Sequence, residues 1–271
     1  MSAMDTSNLT KDFMHKLFSE GKRFDGRKLL DLNDVEVEYG VSNKSEGSAR
    51  VRLGKTEVIA GVKLAVGTPY PDSLDKGNLV VSGDLLALAS PRFELGPPGF
   101  DGIEMPRLID RMIRGAEMIN LKKLVVTEGE KVWNVNVDVY PINDDGSLID
   151  AASIACVAAL RQAMLPKLDK DGQVDYDSEP QGKLPLHDVL PLSFTFFKLG
   201  NAIILHPTRE EEESCEAKVT LGASKWNGQF MLHSAQKGWP LGFDRKEMDY
   251  IFDMLEKKYD ELMIKLKKSL K

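Results

Sequence analysis

Apolar residues recur along this chain at two periods, and the period predicts the element. Leu9, Phe13 and Leu17 fall every four residues, with Asn8 as a candidate cap and Gly21 as a stop, which predicts a short amphipathic helix. Alternation then takes over at Val35, Val37 and Tyr39 and again at Ala49, Val51 and Leu53, and Gly54-Lys55 turns the chain into Val58 to Val62. The stretches 69–71 and 91–99 are loop punctuation. A helix is predicted over 104–120 with Met105, Leu108, Met112 and Ile119 inward, followed by strands over 124–126 and 132–140. In the longer of these strands Trp133, Val135, Val137 and Val139 share a face.

After the Asn143 to Gly146 turn, the run 151–160 is built from small and apolar residues broken only by Ser153, the pattern of a buried, closely packed helix. Cys156 within it reads as core filler. The polar segment 167–183 reads as an exposed connection between two halves. Beyond it, 192–198 and 202–205 flank a two-residue Gly200-Asn201 turn, Ala217, Val219 and Leu221 alternate, and Asn227-Gly228 turns into 229–233. A last helix starts at Asp244, with Glu247 three residues on as a capping box and Met248, Ile251, Phe252, Leu255, Leu262 and Leu266 as its stripe. Runs of strands, each closed by a helix, define an α+β protein with mostly antiparallel sheet. The expected organisation is an N-terminal helix (1–22), a first unit (23–166) and a second unit with the long C-terminal helix (183–271).

Composition narrows the function classes. The 271 residues are 42% hydrophobic and 29% charged, a globular balance. No run is long and apolar enough for a membrane span, and the start lacks the basic and apolar regions of a secretory leader. Two cysteines make neither a disulfide framework nor a four-cysteine zinc site. A cytoplasmic protein with no membrane contact, no metal and no cofactor is expected. The net charge of −6 argues against nucleic acid as a partner, unless the positive charges are locally placed.

Four features carry candidate chemistry. The histidines 15, 187, 206 and 233 lack metal-type spacing and read as turn or surface residues. Glu210 to Glu213 could hold Mg²⁺ or exchange protons, but a charge run of this kind reads first as a solvated loop. Arg50 and Arg52 lie opposite the apolar face of their strand and read as surface or interface charge. Arg107, Arg111 and Arg114 stand at i, i+4 and i+7 of the predicted helix, so three guanidinium groups share one face. Phosphate binding and local ion pairing to Asp110 are equally open readings of that stripe.

Read together, these segments resemble a known family. Arg23-Phe24-Asp25-Gly26-Arg27 resembles the opening motif of the RNase PH superfamily, and Glu46-Gly47-Ser48 to Thr56 its glycine-serine strand. Val132-Trp133, the Asp145-Gly146 turn and the small-residue helix to Leu160 match in order, as does 200–224. Asp145 to Ala151 and Pro207-Thr208-Arg209-Glu210-Glu211-Glu212 are most similar to the non-catalytic RNase PH-like subunits of archaeal RNA exosomes.

The resemblance implies duplicated β-α units of the RNase PH-like (ribosomal protein S5 domain 2-like) fold. It implies a hexameric ring, a trimer of heterodimers in which such a subunit alternates with a catalytic sister. Single-stranded RNA and RNA-binding cap proteins are the further partners implied. Active members of the family shorten RNA from the 3′ end by phosphorolysis. Their phosphate cradle is kept here at Gly146 and Ser147, but Leu148 takes the place of its arginine. That removes a charge-assisted bond typically worth ~1.5–3 kcal/mol. Their two aspartates fall on Glu212 and Lys218, and a lysine can neither hold Mg²⁺ nor complete the carboxylate pair. The expectation is a catalytically silent subunit that supports its neighbour's active site. Arg107 and Arg111, with Arg114 on the same stripe, are its expected RNA contacts. Two rivals are an active phosphate-dependent exoribonuclease using Glu210 to Glu213, and an unrelated binding module kept soluble by its acidic loop.

Overall fold

The computed structural model describes residues 6–170, 172–176 and 178–267. Ser7 begins α1 (Asn8–Ser19) by accepting the Thr10 N–H on its hydroxyl. Met14 and Phe18 are the buried residues of α1, packed on Phe197, Leu199 and Ile204, whereas Leu9 and Phe13 are exposed. The expected Leu9–Phe13–Leu17 stripe is therefore rotated by one position. The helix docks by its most complementary ridge, and periodicity alone does not rank two adjacent ridges.

The first sheet is formed by β1 (Val35–Tyr39), β2 (Gly47–Leu53), β3 (Thr56–Gly67), β4 (Asn78–Gly83), β5 (Val125–Thr127) and β6 (Lys131–Asn143), in the order β1-β2-β3-β6-β4 with β5 also on β6. All pairs are antiparallel except β4 with β6. Between β4 and β5 runs α2 (Phe100–Gly115), and after β6 comes α3 (Leu148–Gln162). Short ribbons, β7 (Met164–Leu165) with β10 (Gly182–Lys183) and β8 (Lys167–Leu168) with β9 (Val174–Asp175), order much of the expected open connection. The second sheet, β12-β11-β13-β14, comprises β11 (Leu192–Leu199), β12 (Ala202–Leu205), β13 (Ala217–Trp226) and β14 (Gln229–Gly238). Short α4 (Arg209–Ser214) lies between β12 and β13, and α5 (Arg245–Leu266) ends the described chain. Among the described residues no helix is long and apolar enough to cross a membrane.

One apolar core runs from Leu32 to Leu266 and joins both sheets through α3, which is buried from Asp150 to Leu160. Its alanines allow close approach: a Cβ at Gly47 on β2 would lie 2.4 Å from the Ala159 carbonyl. On the far side of the second sheet α5 packs Ile251, Leu255, Tyr259, Leu262 and Leu266 inward, with Tyr259 against Phe194 and Phe230. Phe252, expected on that stripe, is exposed. The α5 capping box is present: Glu247 N–H donates to Asp244 at 2.8 Å, and Asp244 N–H to Glu247 at 2.7 Å.

Helix α2 starts and stops earlier than its pattern suggests. Gly99 caps it behind Pro97-Pro98, and it ends in a Schellman turn with Glu117 at φ 49°. There Met118 N–H bonds the Ile113 carbonyl and Glu117 N–H that of Arg114. The left-handed position is held by glutamate instead of glycine, so the stop leaves no sequence signal. Residues 121–124, read partly as strand, form a 3₁₀ turn.

Candidate functional site

Helix α2 carries the arginine stripe, and the structure divides it. Asp110 pairs with Arg114 alone, at 2.7 and 3.1 Å, and Arg114 also donates to the Leu79 carbonyl at 3.1 Å. Those Asp110 bonds, above all, hold the Arg114 guanidinium above its usual pKa. The ion-pairing reading thus describes Arg114. Arg111 is exposed and donates to the side-chain carbonyl of Gln236 at 2.7 Å. Arg107 is exposed and has no hydrogen bond or ion pair among the described residues.

Beside this face, β6 hands over to α3 through a tight turn. Gly146 at φ 90° is obligatory there, because a Cβ would meet the Pro207 carbonyl oxygen at 2.5 Å. The Thr56 hydroxyl donates to the Gly146 carbonyl at 2.6 Å and accepts from Asp145 N–H at 2.9 Å. Ser147, left-handed at φ 56°, caps α3 with no side-chain bond into the helix; its hydroxyl donates to the Pro207 carbonyl at 3.2 Å. A helix N-terminus with exposed N–H groups is an anion site. Here the anion is internal: the Ser147 N–H donates to a Glu212 carboxylate oxygen at 3.0 Å.

The acidic run is the main correction to the sequence reading. Instead of a solvated loop it forms α4, closed by a Thr208–Glu211 capping box. Glu211 is fully buried against Arg23, which donates to both carboxylate oxygens and to the carbonyls of Leu205 and His206. Glu213 accepts from the Thr6 hydroxyl at 3.0 Å, and only Glu210 points to solvent. Arg92 binds Asp144 at 2.5 Å and stands 3.8 Å from Glu212 and 3.9 Å from Glu213. Burial opposes the charge of Arg92, but Glu212 and Asp144 carry its pKa above the usual value. For Glu212 burial wins over Arg92, and its carboxyl is pushed upward.

Lys218 projects from β13 into the same region. Its Nζ donates to Glu104 Oε2 at 2.7 Å, both side chains are buried, and the ammonium stands 5.2 Å from the centre of the Trp239 ring. A cavity of about 90 Å³ is lined here by Arg92, Ser147, Leu148, Thr195, Lys218 and Trp239, among others. Arg92 and Glu104 were not anticipated. Arg92 sits in a proline-rich loop with no motif, and Glu104 reads as an ordinary polar position of its helix.

His206 is also corrected, being fully buried instead of in an exposed turn. Its Nδ1 accepts the Asn33 N–H at 3.1 Å, which leaves the proton on Nε2, 3.9 Å from Asp150 Oδ2. Burial and then neighbouring cations lower its pKa to about 3. Asp150 accepts the N–H and hydroxyl of Thr195 at 3.1 and 2.8 Å, yet burial raises it to about 7. Cys156 is buried and its thiol is pushed well up, in keeping with core filler. Arg50 and Arg52 form surface ion pairs with Glu36, Glu38 and Glu57.

Two sheets clasping a small-residue helix, with a Gly-Ser turn at that helix's start facing an acidic helix, define an RNase PH-type protein. Residues 31–166 match the RNase_PH family (3′ exoribonuclease family, domain 1), and the chain belongs to it. It is 43% identical over 222 residues to the exosome complex component Rrp42 of Methanosarcina acetivorans, covering 80% of this chain and 79% of the relative. It is 36% identical over 274 residues to Rrp42 of Thermococcus kodakarensis, covering 100% and 99%. Among solved structures it resembles a chain of the Archaeoglobus fulgidus exosome with RNA bound to the active site. That match has a TM-score of 0.87 and 36% identity and covers 96% and 98% of the two chains.

Proposed function

We propose that this chain is the catalytically silent, RNA-holding subunit of an exosome ring that degrades RNA from the 3′ end by phosphorolysis. It alternates with a catalytic RNase PH-like sister subunit in a trimer of heterodimers, works with RNA-binding cap proteins, and resides in the cytoplasm. Its likeness to Rrp42 proteins over nearly its full length supports the assembly. The silence rests on one observation: both functions of an RNase PH site are internally neutralised. The helix N–H at Ser147 is taken by Glu212, and the place of the second acid holds Lys218 in a buried pair with Glu104. A phosphate at Ser147 would meet a carboxylate instead of an arginine.

Substrate grip falls to the exposed side of α2. Arg107 and Arg111 carry guanidinium groups not committed to an acid partner, with Arg114 behind them held by Asp110. Neutralising a few phosphates is a local act that a protein of net charge −6 can perform. Reconstitution tests the assignment. The isolated chain is expected to shorten no RNA with phosphate, and its mixture with the sister subunit to do so. Phosphate-dependent shortening by the isolated chain would overturn the silent role. In the ring, Arg107→Ala with Arg111→Ala is expected to weaken RNA binding and reduce its salt slope by roughly 0.7 per lost phosphate contact. An unchanged slope would remove these arginines from the RNA path.

A further inference from the structure

The lysine standing where an active family member would carry an acid does more than interrupt a site. From Lys218 a continuous set of contacts leads to the arginine stripe. Lys218 Nζ holds Glu104 Oε2 at 2.7 Å, Glu104 Oε1 accepts from Gln236 Nε2 at 3.3 Å, and Gln236 Oε1 accepts from Arg111 at 2.7 Å. The order of donors in this relay is dictated chemically. A carboxylate only accepts, so Glu104 turns the Gln236 amide nitrogen toward itself and the amide oxygen toward Arg111, which only donates.

The backbone is cut to fit the relay. Lys218 on β13 lies opposite Gly238 on β14, where a Cβ would meet its side chain at 2.7 Å, and Gln236 lies opposite Thr220 on the same pair. Helix α2 approaches closely enough to join because of two glycines. A Cβ at Gly222 would stand 2.9 Å from Met112 Cγ, and one at Gly115 would stand 2.9 Å from the His233 carbonyl oxygen. Glu104 and Arg111, seven residues apart, share the face of α2 turned to this edge.

We propose that Lys218 is a positioning residue: through Glu104 and Gln236 it holds the Arg111 guanidinium in one orientation, ready for an RNA phosphate. The proposal rests on the reading of Arg111 as an RNA contact. A long side chain ordered in advance loses less rotamer freedom on binding, and each such side chain is worth roughly a two- to tenfold gain in affinity. A lysine at 218 would then serve the ring where an aspartate could not, because a second carboxylate facing Glu104 breaks the relay at its first link.

The test uses the ring reconstituted with the sister subunit and a fluorescein-labelled oligoadenylate in phosphate-free buffer, titrated at several salt concentrations. Arg111→Ala is expected to weaken binding and flatten the salt slope. Lys218→Met is expected to weaken binding roughly two- to tenfold with the slope unchanged, since the Lys218 charge is buried and already neutralised by Glu104. Placed on Arg111→Ala, Lys218→Met should cost nothing further, which a merely structural role would not produce. Gln236→Met, which leaves the buried pair intact, should repeat the Lys218→Met loss, and it decides the matter if Lys218→Met fails to assemble. Additive losses, or an unchanged affinity in Lys218→Met or Gln236→Met while Arg111→Ala binds weakly, would overturn the relay. An unchanged affinity in Arg111→Ala itself would overturn the underlying RNA assignment.

Discussion

Replacing Arg23 with methionine tests how the acidic helix is held. Arg23 is buried with its partner Glu211, side-chain exposures being 0% and 1%. Its guanidinium donates to both Glu211 oxygens and to the carbonyls of Leu205 and His206 at 3.0 and 2.9 Å. Methionine fills similar space and removes all of these bonds. Glu211 would keep only the capping-box N–H of Thr208, at 2.9 Å. A buried carboxylate stripped of its cation typically costs ~3–5 kcal/mol. At this chain length each kcal/mol lowers the melting temperature by roughly 2–4 °C, so Arg23→Met should melt about 6–20 °C below the native protein. The double variant Arg23→Met with Glu211→Leu removes the stranded charge at the expense of the capping box, typically ~1 kcal/mol. It should regain more than half the loss. Thermal unfolding followed by circular dichroism, with urea titrations of all four members of the cycle, reads both effects. A drop under about 2 °C in Arg23→Met, or a double variant as unstable as the two singles combined, would refute the reasoning.

Four further outcomes follow from the geometry. Leu148→Arg should not create phosphate binding measurable by titration calorimetry, because Glu212 still occupies the Ser147 N–H; saturable phosphate uptake would contradict this. His206, lowered to about 3 from 6.5, contributes stability above pH 6.5 that is lost as pH falls toward 3. Urea titrations from pH 7 to 4 should therefore show the native protein losing stability relative to His206→Asn, and a constant difference would argue against it. Asp150, raised from 3.8 to about 7, has the opposite sign, so the native protein should lose stability relative to Asp150→Asn as pH rises across that interval. Gly222→Ala, whose Cβ would stand 2.4 Å from the Ser234 hydroxyl, should destabilise by ~1–3 kcal/mol and disturb α2. Gly228→Ala, with open space around it, should lose only the ~1–2 kcal/mol of its left-handed φ of 79°. A near-ultraviolet circular-dichroism spectrum of Gly222→Ala as native as that of Gly228→Ala, with a melting temperature no lower, would remove the packing argument.

Much of the architecture was legible because it is local. The Trp133–Val139 alternation, the small-residue helix and the Asn227-Gly228 turn each carry their instruction within a few residues. At that turn both positions have positive φ, as a type I′ hairpin requires. The end of α2 was hidden because Glu117 does the work usually given to glycine. The active stripe of α1 was misassigned because two ridges one residue apart carry similar apolar content. For the site, Leu148, Glu212 and Lys218 could be placed by motif, but Arg92 and Glu104 could not, since nothing nearby in sequence marks their partners.

What the sequence determined by itself was therefore the set of elements, the family and the positions, Leu148, Glu212 and Lys218, that the motif comparison singles out. What only the tertiary structure decided was which polar residues meet. Ala217, Val219 and Leu221 read as the inner face of a half-exposed strand, yet Lys218 and Thr220 between them are buried as well. They are covered because α2 and α3 close over the second face of the sheet, and buried polar groups must then find partners across the fold. Lys218 finds Glu104, 114 residues away, Arg23 finds Glu211, 188 residues away, and Ser147 finds Glu212. Charge pairing at such separations depends on the fold bringing distant segments together, and one-dimensional pattern holds no record of it.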